Sequence, residues 1–355
     1  MALVELKCTD FRCLASVALS LEPGNNLIFG ANASGKTSLL EAMAYLGRGR
    51  SFRGASVREL IRHGADEFLI VGTVEHDGLN QTLGVRNGRQ GQEVHAGGEK
   101  TASAAPLAEA LPLQVIDPDV HSLIAGGPES RRRYIDWLAF HVEPGYLEAW
   151  RRYRRALKQR NAALKSGGGS SSLRVWNDEM AELGAAVDGA RRRMVALVSP
   201  SLVETGEALL GAPVAIEYRQ GWNAEMTLAE ALAAGSERDV QLGSTQAGPH
   251  RADLALAYDE RRARKVVSRG QQKLLACALV IAATETVQTH LERSLLLLLD
   301  DPSAELDRQS VARLMAAVEA LGSQVVATTL DPEQAVFSSP AAMFHVEQGA
   351  VERIE

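Results

Sequence analysis

The chain has 355 residues, of which 46% are apolar and 23% charged, and its formal net charge is −6. These values are ordinary for a soluble globular protein, and the length favours two lobes. No apolar run reaches the roughly 18 residues of a membrane span, no export signal is visible, and the three cysteines are scattered. We therefore expect a cytoplasmic protein without a membrane partner.

The first informative element is a short apolar strand at residues 27–29 that enters a glycine-rich loop and then a helix from residue 38. The loop matches the pattern G-x-x-x-x-G-K-T, in which backbone N–H groups cradle phosphates at a helix N-terminus. Lys36 would reach the β- and γ-phosphates of ATP, and the Thr37 hydroxyl would bind Mg²⁺. An ordinary glycine-rich turn is the alternative. The predicted ATP-binding residues are Gly30, Ala31, Asn32, Ala33, Ser34, Gly35, Lys36, Thr37 and Ser38.

A long insertion follows, and its spacing of apolar residues predicts a helical hairpin. Large apolar residues recur four and three positions apart over residues 146–157, and a second helix continues this seam. The glycine- and serine-rich residues 166–172 would link the two helices flexibly. The predicted seam of the second helix is Trp176, Met180, Leu183, Val187, Ala190, Met194 and Leu197.

The insertion is also basic, with 14 Lys and Arg against 8 Asp and Glu over residues 128–198. Such residues give sequence-independent, salt-sensitive affinity for nucleic-acid phosphates, although a solvated helical face is the alternative for any one cluster. Two arginine triplets, at residues 131–133 and 191–193, add to this charge, and a further cluster at residues 48–62 has no assigned role. The candidate DNA-binding residues on the first helix are Arg151, Arg152, Arg154, Arg155, Lys158 and Arg160.

The second chemical motif lies near residue 300. Five leucines at residues 295–299 predict a fully buried parallel strand that ends in two acids. Asp300 is placed to hold Mg²⁺ together with Thr37, and Asp301 to orient or partly deprotonate the attacking water, so Lys36 and Asp301 are the predicted catalytic residues. A turn cap is the alternative for this acidic pair. Residues 325–329 predict a further buried strand, and residues 344–354 a terminal hairpin.

The order of these motifs resembles the ABC-type ATPase superfamily. The resemblance implies an α/β fold: an ABC-type P-loop ATPase head with a mixed sheet, plus an inserted α-helical lobe with a short antiparallel coiled-coil-like hairpin. The signature motif would act in trans on the nucleotide of a second subunit, so an ATP-gated homodimer is implied, with residues 303–307 near its axis. Two departures, Asp301 instead of glutamate and Thr328–Thr329 instead of a switch histidine, predict slow hydrolysis. The residues that match the signature are Ser268, Arg269, Gly270 and Gln271.

Several strings across the chain resemble the RecF family of bacterial recombination and replication-repair proteins. They include residues 9–12, 49–53, 127–136, 157–161, 248–253 and 268–275, and the pair Asp300–Asp301. The resemblance places Arg12 among the ATP-binding residues. It implies a weak, DNA-stimulated ATPase that binds gapped, single- and double-stranded DNA and dimerises on ATP. With the partners RecR and RecO, it would help to load RecA at gaps.

Two other functions compete with this interpretation. A transporter cassette would need no basic hairpin and should carry a glutamine loop and the switch histidine. A nonhydrolytic scaffold would use ATP only to fix a dimer. We expect one lobe from residues 1–125 and 236–355 and a helical lobe from residues 126–235.

Overall fold

The computed structural model describes residues 1–166, 170–332 and 337–354. The chain forms two compact units: unit 1 is Met1–Val120 with Glu292–Glu355, and unit 2 is His121–Leu291. Unit 1 is therefore assembled from both ends of the chain, but the boundaries differ from those we expected. Residues 236–291 belong to unit 2 because the strand at residues 253–258 pairs with the strand at residues 214–219, and the helix over residues 269–291 packs against the long helix of the hairpin.

The strands follow the apolar patterns of the sequence, with alternating burial in the antiparallel sheets and continuous burial in the parallel one. In chain order they are β1 (Ala2–Phe11), β2 (Leu14–Ser20), β3 (Asn25–Phe29), β4 (Glu67–His76), β5 (Leu79–Gly88), β6 (Gly91–Ala96), β7 (Glu99–Thr101), β8 (Leu113–Ile116), β9 (Val214–Arg219), β10 (Asp253–Tyr258), β11 (Arg261–Arg262), β12 (Leu296–Leu299), β13 (Gln324–Thr329), β14 (Ala342–Glu347) and β15 (Ala350–Ile354).

The helices are concentrated in the middle of the chain. In chain order they are α1 (Lys36–Arg48), α2 (Val57–Leu60), α3 (Ala105–Ala110), α4 (Ser122–Ala125), α5 (Pro128–Val142), α6 (Tyr146–Lys165), α7 (Ser170–Leu210), α8 (Leu228–Ala234), α9 (Ser236–Leu242), α10 (Ala263–Val266), α11 (Arg269–Leu291) and α12 (Arg308–Ala320).

Unit 1 contains two six-stranded sheets with α1 packed between them. One is antiparallel in the order β2-β1-β4-β5-β6-β7, and the other has the order β15-β14-β3-β13-β12-β8. In the second sheet β14, β3, β13, β12 and β8 run parallel, and β15 closes the edge as a hairpin with β14. Helix α1 contacts strands of both sheets and buries Leu39, Leu40, Met43 and Leu46 in their shared core. Because parallel strands end at the same edge, this sheet brings the ends of β3, β12, β13 and β8 together.

Unit 2 is built on the antiparallel pair α6 and α7, with the three-stranded sheet β11-β10-β9 beside them. The predicted seam of α7 is buried from Met180 to Met194, but Leu197 is 45% exposed and Val198 is buried instead. The reason is helical geometry: a straight helix turns every 3.6 residues, so a strict alternation of four and three drifts off the buried stripe.

The link between the two helices is shorter than we predicted. Helix α7 already begins at Ser170, so the last three residues of the expected flexible link are helical. Residues 167–169 lie outside the described residues.

Helix α11 is long and apolar enough to cross a membrane by length and composition alone. Most of the relevant window, 72%, is buried inside the structure, as in the core helix of a soluble protein. Helix α11 packs against α7 and α5 within unit 2.

Candidate nucleotide-binding site

The loop between β3 and α1 is held in a conformation that only glycine adopts easily. Gly30 has φ +153°, and a Cβ there would lie 2.2 Å from the Val346 carbonyl oxygen. Gly35, with φ +119°, lies directly before α1. The hairpin of β14 and β15 also supports the loop, because the N–H of Gly349 donates to the Ser34 carbonyl oxygen at 2.8 Å. The loop backbone is thereby fixed at the helix N-terminus, where an anion is favoured.

Lys36 and Ser34 direct polar groups toward this loop. Lys36 Nζ donates to the carbonyl oxygens of Gly30 at 2.7 Å and Ala31 at 2.8 Å. Burial lowers the pKa of Lys36, and the negative charges of Asp300 and Asp301 oppose that shift. The Ser34 hydroxyl is buried without a hydrogen-bond partner among the described residues. A buried hydroxyl without a partner in the described part of the chain and a lysine that donates to neutral carbonyls fit a site that receives phosphate oxygens.

Asp300 and Asp301 follow β12, at the edge of the sheet where the P-loop strand also ends. Thr37 Oγ1 donates to Asp300 Oδ1 at 3.0 Å, across 263 residues of sequence. Asp300 is 7% exposed, and burial raises its pKa, while hydrogen bonds from Thr328 and Thr37 counter the shift. Asp301 has φ +46° and accepts a hydrogen bond from Ser303 Oγ at 3.0 Å.

These residues suit a magnesium ion that is shared with a nucleotide. In the described part of the chain, no group of three or more His, Cys, Asp or Glu side chains could hold a metal by itself. Mg²⁺ at nucleotide sites is typically bound by one or two protein oxygens together with substrate phosphates. The Thr37 hydroxyl and the Asp300 carboxylate supply such a pair.

Arg12, predicted to contact ATP, is paired within the protein. Its guanidinium donates to both carboxylate oxygens of Glu41, at 2.8 and 2.9 Å, and to the Glu59 carbonyl at 3.1 Å. Glu41 is fully buried in α1 and also accepts a hydrogen bond from Ser51. Ser38 accepts a weak hydrogen bond from the Cys13 thiol at 3.6 Å. Glu41 was missed by the sequence reasoning, which treated α1 only as the helix behind the P-loop.

Asp117 was also missed. It directly follows β8, the parallel neighbour of β12, and the Asp300 N–H donates to the Ile116 carbonyl at 2.8 Å. Burial, with the nearby charges of Asp119 and Asp300, raises the pKa of Asp117 to about 6. The available signal was an acid directly after an apolar strand, the same pattern that marked Asp300.

The signature residues lie at the start of α11 in unit 2. Ser268 N donates to Gln271 Oε1 at 2.9 Å, and Gln271 N donates to Ser268 Oγ at 3.4 Å. This reciprocal pair is a capping box that fixes the N-terminus of α11. Ser268 and Arg269 are exposed, and Gly270 is half-buried. The exposed end of a capped helix can therefore meet an anion or another protein surface.

Helix α6 presents most of the predicted basic residues to solvent. Arg151, Arg152, Arg154, Arg155 and Lys158 are exposed on it. Arg154 stacks over the Trp150 ring, 4.9 Å from its centroid, and the nearest atoms of Arg152 and Glu179 are 3.8 Å apart.

The assignment of Arg160 to this DNA-binding surface was wrong. Arg160 is 0% exposed, and its Nη1 donates to Asp239 Oδ2 and Thr245 Oγ1, both at 2.7 Å. It lies seven residues after the buried Tyr153, so it continues the buried stripe of α6 rather than its basic face. A side chain so enclosed cannot contact DNA phosphates.

One arginine of each triplet is likewise structural. Arg131 makes two hydrogen bonds to Asp253, at 2.7 and 3.1 Å. Arg191 makes two to Asp136, also at 2.7 and 3.1 Å. Both arginines are buried. Their contribution to the local positive charge is therefore neutralised inside unit 2.

The fold and the site together define a P-loop ATPase of the ABC and SMC type. The family model for the RecF/RecN/SMC N terminal domain matches residues 2–352. The DNA replication and repair protein RecF of Shewanella baltica is 39% identical over 360 residues and covers 100% of both chains. RecF of Pseudomonas fluorescens is 40% identical over 359 residues and covers 99% of this chain and 98% of that protein. The chain therefore belongs to the RecF family.

Solved structures agree with this assignment. A structure of the recombination mediator protein RecF with ATP, from the RecFOR pathway, has a TM-score of 0.91 and 26% identity, covering 99% of this chain and 97% of that one. An SMC head bound to the winged-helix domain of ScpA has a TM-score of 0.62 at 16% identity, covering 100% of this chain and 98% of that one, and shows a shared fold. The predicted resemblance and fold class are confirmed.

Proposed function

We propose that this protein is an ATP-dependent DNA-binding protein of recombinational repair and replication restart, acting in the cytoplasm. It binds gapped, single- and double-stranded DNA, dimerises on ATP and hydrolyses ATP slowly. With RecR and RecO it helps to load RecA at gaps. The observation that carries the ATPase part is the hydrogen bond between Thr37 and Asp300, which unites the P-loop with the acidic end of β12.

The chain's own residues divide the work of ATP hydrolysis. Loop N–H groups and Lys36 bind the triphosphate, and Thr37 with Asp300 would hold Mg²⁺, which would neutralise charge that develops on the phosphates. Asp301 orients the attacking water and receives its proton. Its side chain is one methylene shorter than glutamate, so we expect slow turnover.

The Asp301→Asn variant tests this proposal directly. Asparagine retains the shape and tolerates φ +46°, but it cannot accept the proton of the water. We expect turnover to fall by about 10²- to 10⁴-fold with ATP binding retained. Phosphate release and fluorescent-nucleotide binding measure the two properties, each with and without gapped DNA.

Asp259→Asn is the matched control, because Asp259 is an exposed aspartate with φ +48° in a turn of unit 2. Its turnover should equal that of the unmodified protein. Equal, measurable turnover in Asp301→Asn would refute the role of Asp301, whereas no turnover in either protein would favour the nonhydrolytic scaffold.

The dimer is tested separately at Ser268. A Ser268→Arg variant should bind ATP yet remain monomeric in sedimentation, since a large cation would occupy the exposed end of α11. Ser268→Asn controls for the capping box because asparagine also caps helices. ATP-dependent dimers of Ser268→Arg would contradict a signature motif that acts in trans.

A further inference from the structure

The two threonines that end β13 occupy the place where a switch histidine was expected, and one of them contacts both acids of the site. Thr328 is 0% exposed. Strand β13 pairs in parallel with β12 on one side and with β3 on the other. Thr328 therefore lies between the strand that ends in Asp300 and the strand that enters the P-loop.

The Thr328 hydroxyl serves two adjacent residues at once. It donates to Asp300 Oδ1 at 2.9 Å and accepts from the backbone N–H of Asp301 at 2.9 Å. The Leu299 carbonyl lies farther away, at 3.5 Å. Because a hydroxyl has one hydrogen to donate, the short contact with Asp300 takes it.

These contacts define which oxygen of Asp300 remains available. Thr37 donates to the same Oδ1 atom at 3.0 Å. Within the described part of the chain, the hydrogen bonds to the Asp300 carboxylate end on Oδ1 and none reaches Oδ2. Thr37 and Thr328 therefore both hold Oδ1 and leave the other oxygen for a metal ion or its water.

Thr328 also controls the residue that orients water. Its bond to the Asp301 N–H holds that backbone at φ +46°, in the left-handed region. Ser303 Oγ then fixes the Asp301 carboxylate at 3.0 Å. A change at Thr328 would thus move both acids relative to each other.

We propose that Thr328 is a positioning residue of the ATPase site, whose hydroxyl fixes the placement of the metal-holding carboxylate of Asp300 relative to the water-orienting carboxylate of Asp301. This role rests on the ATP hydrolysis proposed above. Replacing a residue that orients a metal ligand through a hydrogen bond typically lowers metal affinity or activity by about 10- to 100-fold.

The neighbouring Thr329 provides a matched control within the same strand. It is also buried, at 1% exposure, but its hydroxyl donates to the Asp331 carbonyl at 3.3 Å. Thr329→Val therefore removes a buried strand hydroxyl without removing a hydrogen bond to either acid.

The experiment compares Thr328→Val, Thr328→Ser and Thr329→Val in the full chain. Mn²⁺ binding to the complex with a nonhydrolysable ATP analogue is measured by electron paramagnetic resonance, and kcat and KM are measured at saturating Mg²⁺. For Thr328→Val we expect about tenfold weaker Mn²⁺ binding and a kcat lower by about 10- to 100-fold. Metal-free nucleotide affinity should stay within about twofold, because Lys36 and the P-loop are untouched. Thr328→Ser and Thr329→Val should resemble the unmodified protein.

Two results would overturn the role of Thr328. One is unmodified Mn²⁺ affinity and kcat in Thr328→Val, and the other is a Thr328→Ser variant as impaired as valine. If Thr328→Val does not fold, Thr328→Cys replaces it, since the thiol is only a weak donor. Failure of both to fold would make Thr328 a stability residue and also reject the proposal. If the unmodified protein binds Mn²⁺ and nucleotide but does not turn ATP over, the proposed ATP hydrolysis is refuted instead. The Mn²⁺ measurements would still test the role of Thr328.

Discussion

Unit 1 and unit 2 use buried polar groups in opposite ways. In unit 1, Thr37, Asp300 and Asp301 converge at the end of a parallel sheet, and the buried Ser34 hydroxyl has no partner among the described residues. In unit 2, Arg160 and Arg191 are buried against Asp239 and Asp136. The polar groups of unit 1 remain available to bind a ligand, whereas the paired groups of unit 2 stabilise the fold. The same residue types therefore serve function or stability depending on whether the chain satisfies them.

The largest expected effect comes from breaking one of the pairs in unit 2. Arg160→Ala would leave Asp239, only 1% exposed, without its 2.7 Å cationic partner. Loss of one member of a buried ion pair costs about 3–5 kcal/mol of unfolding free energy. Urea unfolding measures this loss. Arg155→Ala, on the exposed face of the same helix, should change the unfolding free energy by less than about 0.5 kcal/mol. A similar loss in both variants would remove the contrast between the two faces of α6.

The exposed face of α6 should show the converse behaviour. Replacing Arg151, Arg152, Arg154 and Arg155 by alanine should weaken DNA binding by about 10²- to 10³-fold at low salt. It should also reduce the steepness of the plot of log K against log salt concentration, lowering the magnitude of its slope by up to about 3 to 4, because fewer counterions are released from the phosphates. Fluorescence anisotropy with gapped DNA over a range of salt concentrations measures both quantities. An unchanged slope would move the DNA-binding surface elsewhere.

The local motifs of the site could be predicted from sequence, but the contacts between strands could not. The P-loop and the acidic end of β12 each have a continuous pattern, and their meeting follows from the rule for parallel strands. Thr328 lies on β13 and Asp117 directly follows β8, the two neighbours of β12, and the order β13-β12-β8 joins segments that are far apart in the chain. No local pattern contains that order.

The errors on the helices have a different origin. Arg160 was assigned by charge, although its position seven residues after Tyr153 places it on the buried stripe. Leu197 was assigned by a strict heptad, although a straight helix favours Val198. In both cases the helical period of 3.6 residues gives the observed burial, whereas residue charge and a strict heptad do not.

The smallest expected effects concern pH and have opposite signs in the two units. In unit 2, burial lowers the pKa of His250 to about 4, and the charges of Arg251 and Arg132 add to the shift, while the Thr245 carbonyl and Asp239 oppose it. The unfolded state, with an ordinary pKa near 6.5, then binds the proton first as pH falls. This stability is complete above about pH 6.5 and is lost toward pH 4. Lowering the pH from 7 to 5 should therefore reduce the unfolding free energy by roughly 2 kcal/mol, and by less in a His250→Gln variant.

In unit 1 the sign is reversed, because the pKa of Asp117 is raised to about 6. The folded state now binds the proton more tightly than the unfolded state, so stability falls as pH rises from about 4 to 6 and stays lower above it. Asp117→Asn should therefore stabilise the protein at pH 7.5 by on the order of 1 kcal/mol, and the gain should vanish near pH 4. Asp119→Asn, at an exposed neighbour, controls for the loss of one negative charge. Urea unfolding at several pH values measures both units, and an Asp117→Asn gain that grew as pH fell would show that burial does not disfavour this carboxylate.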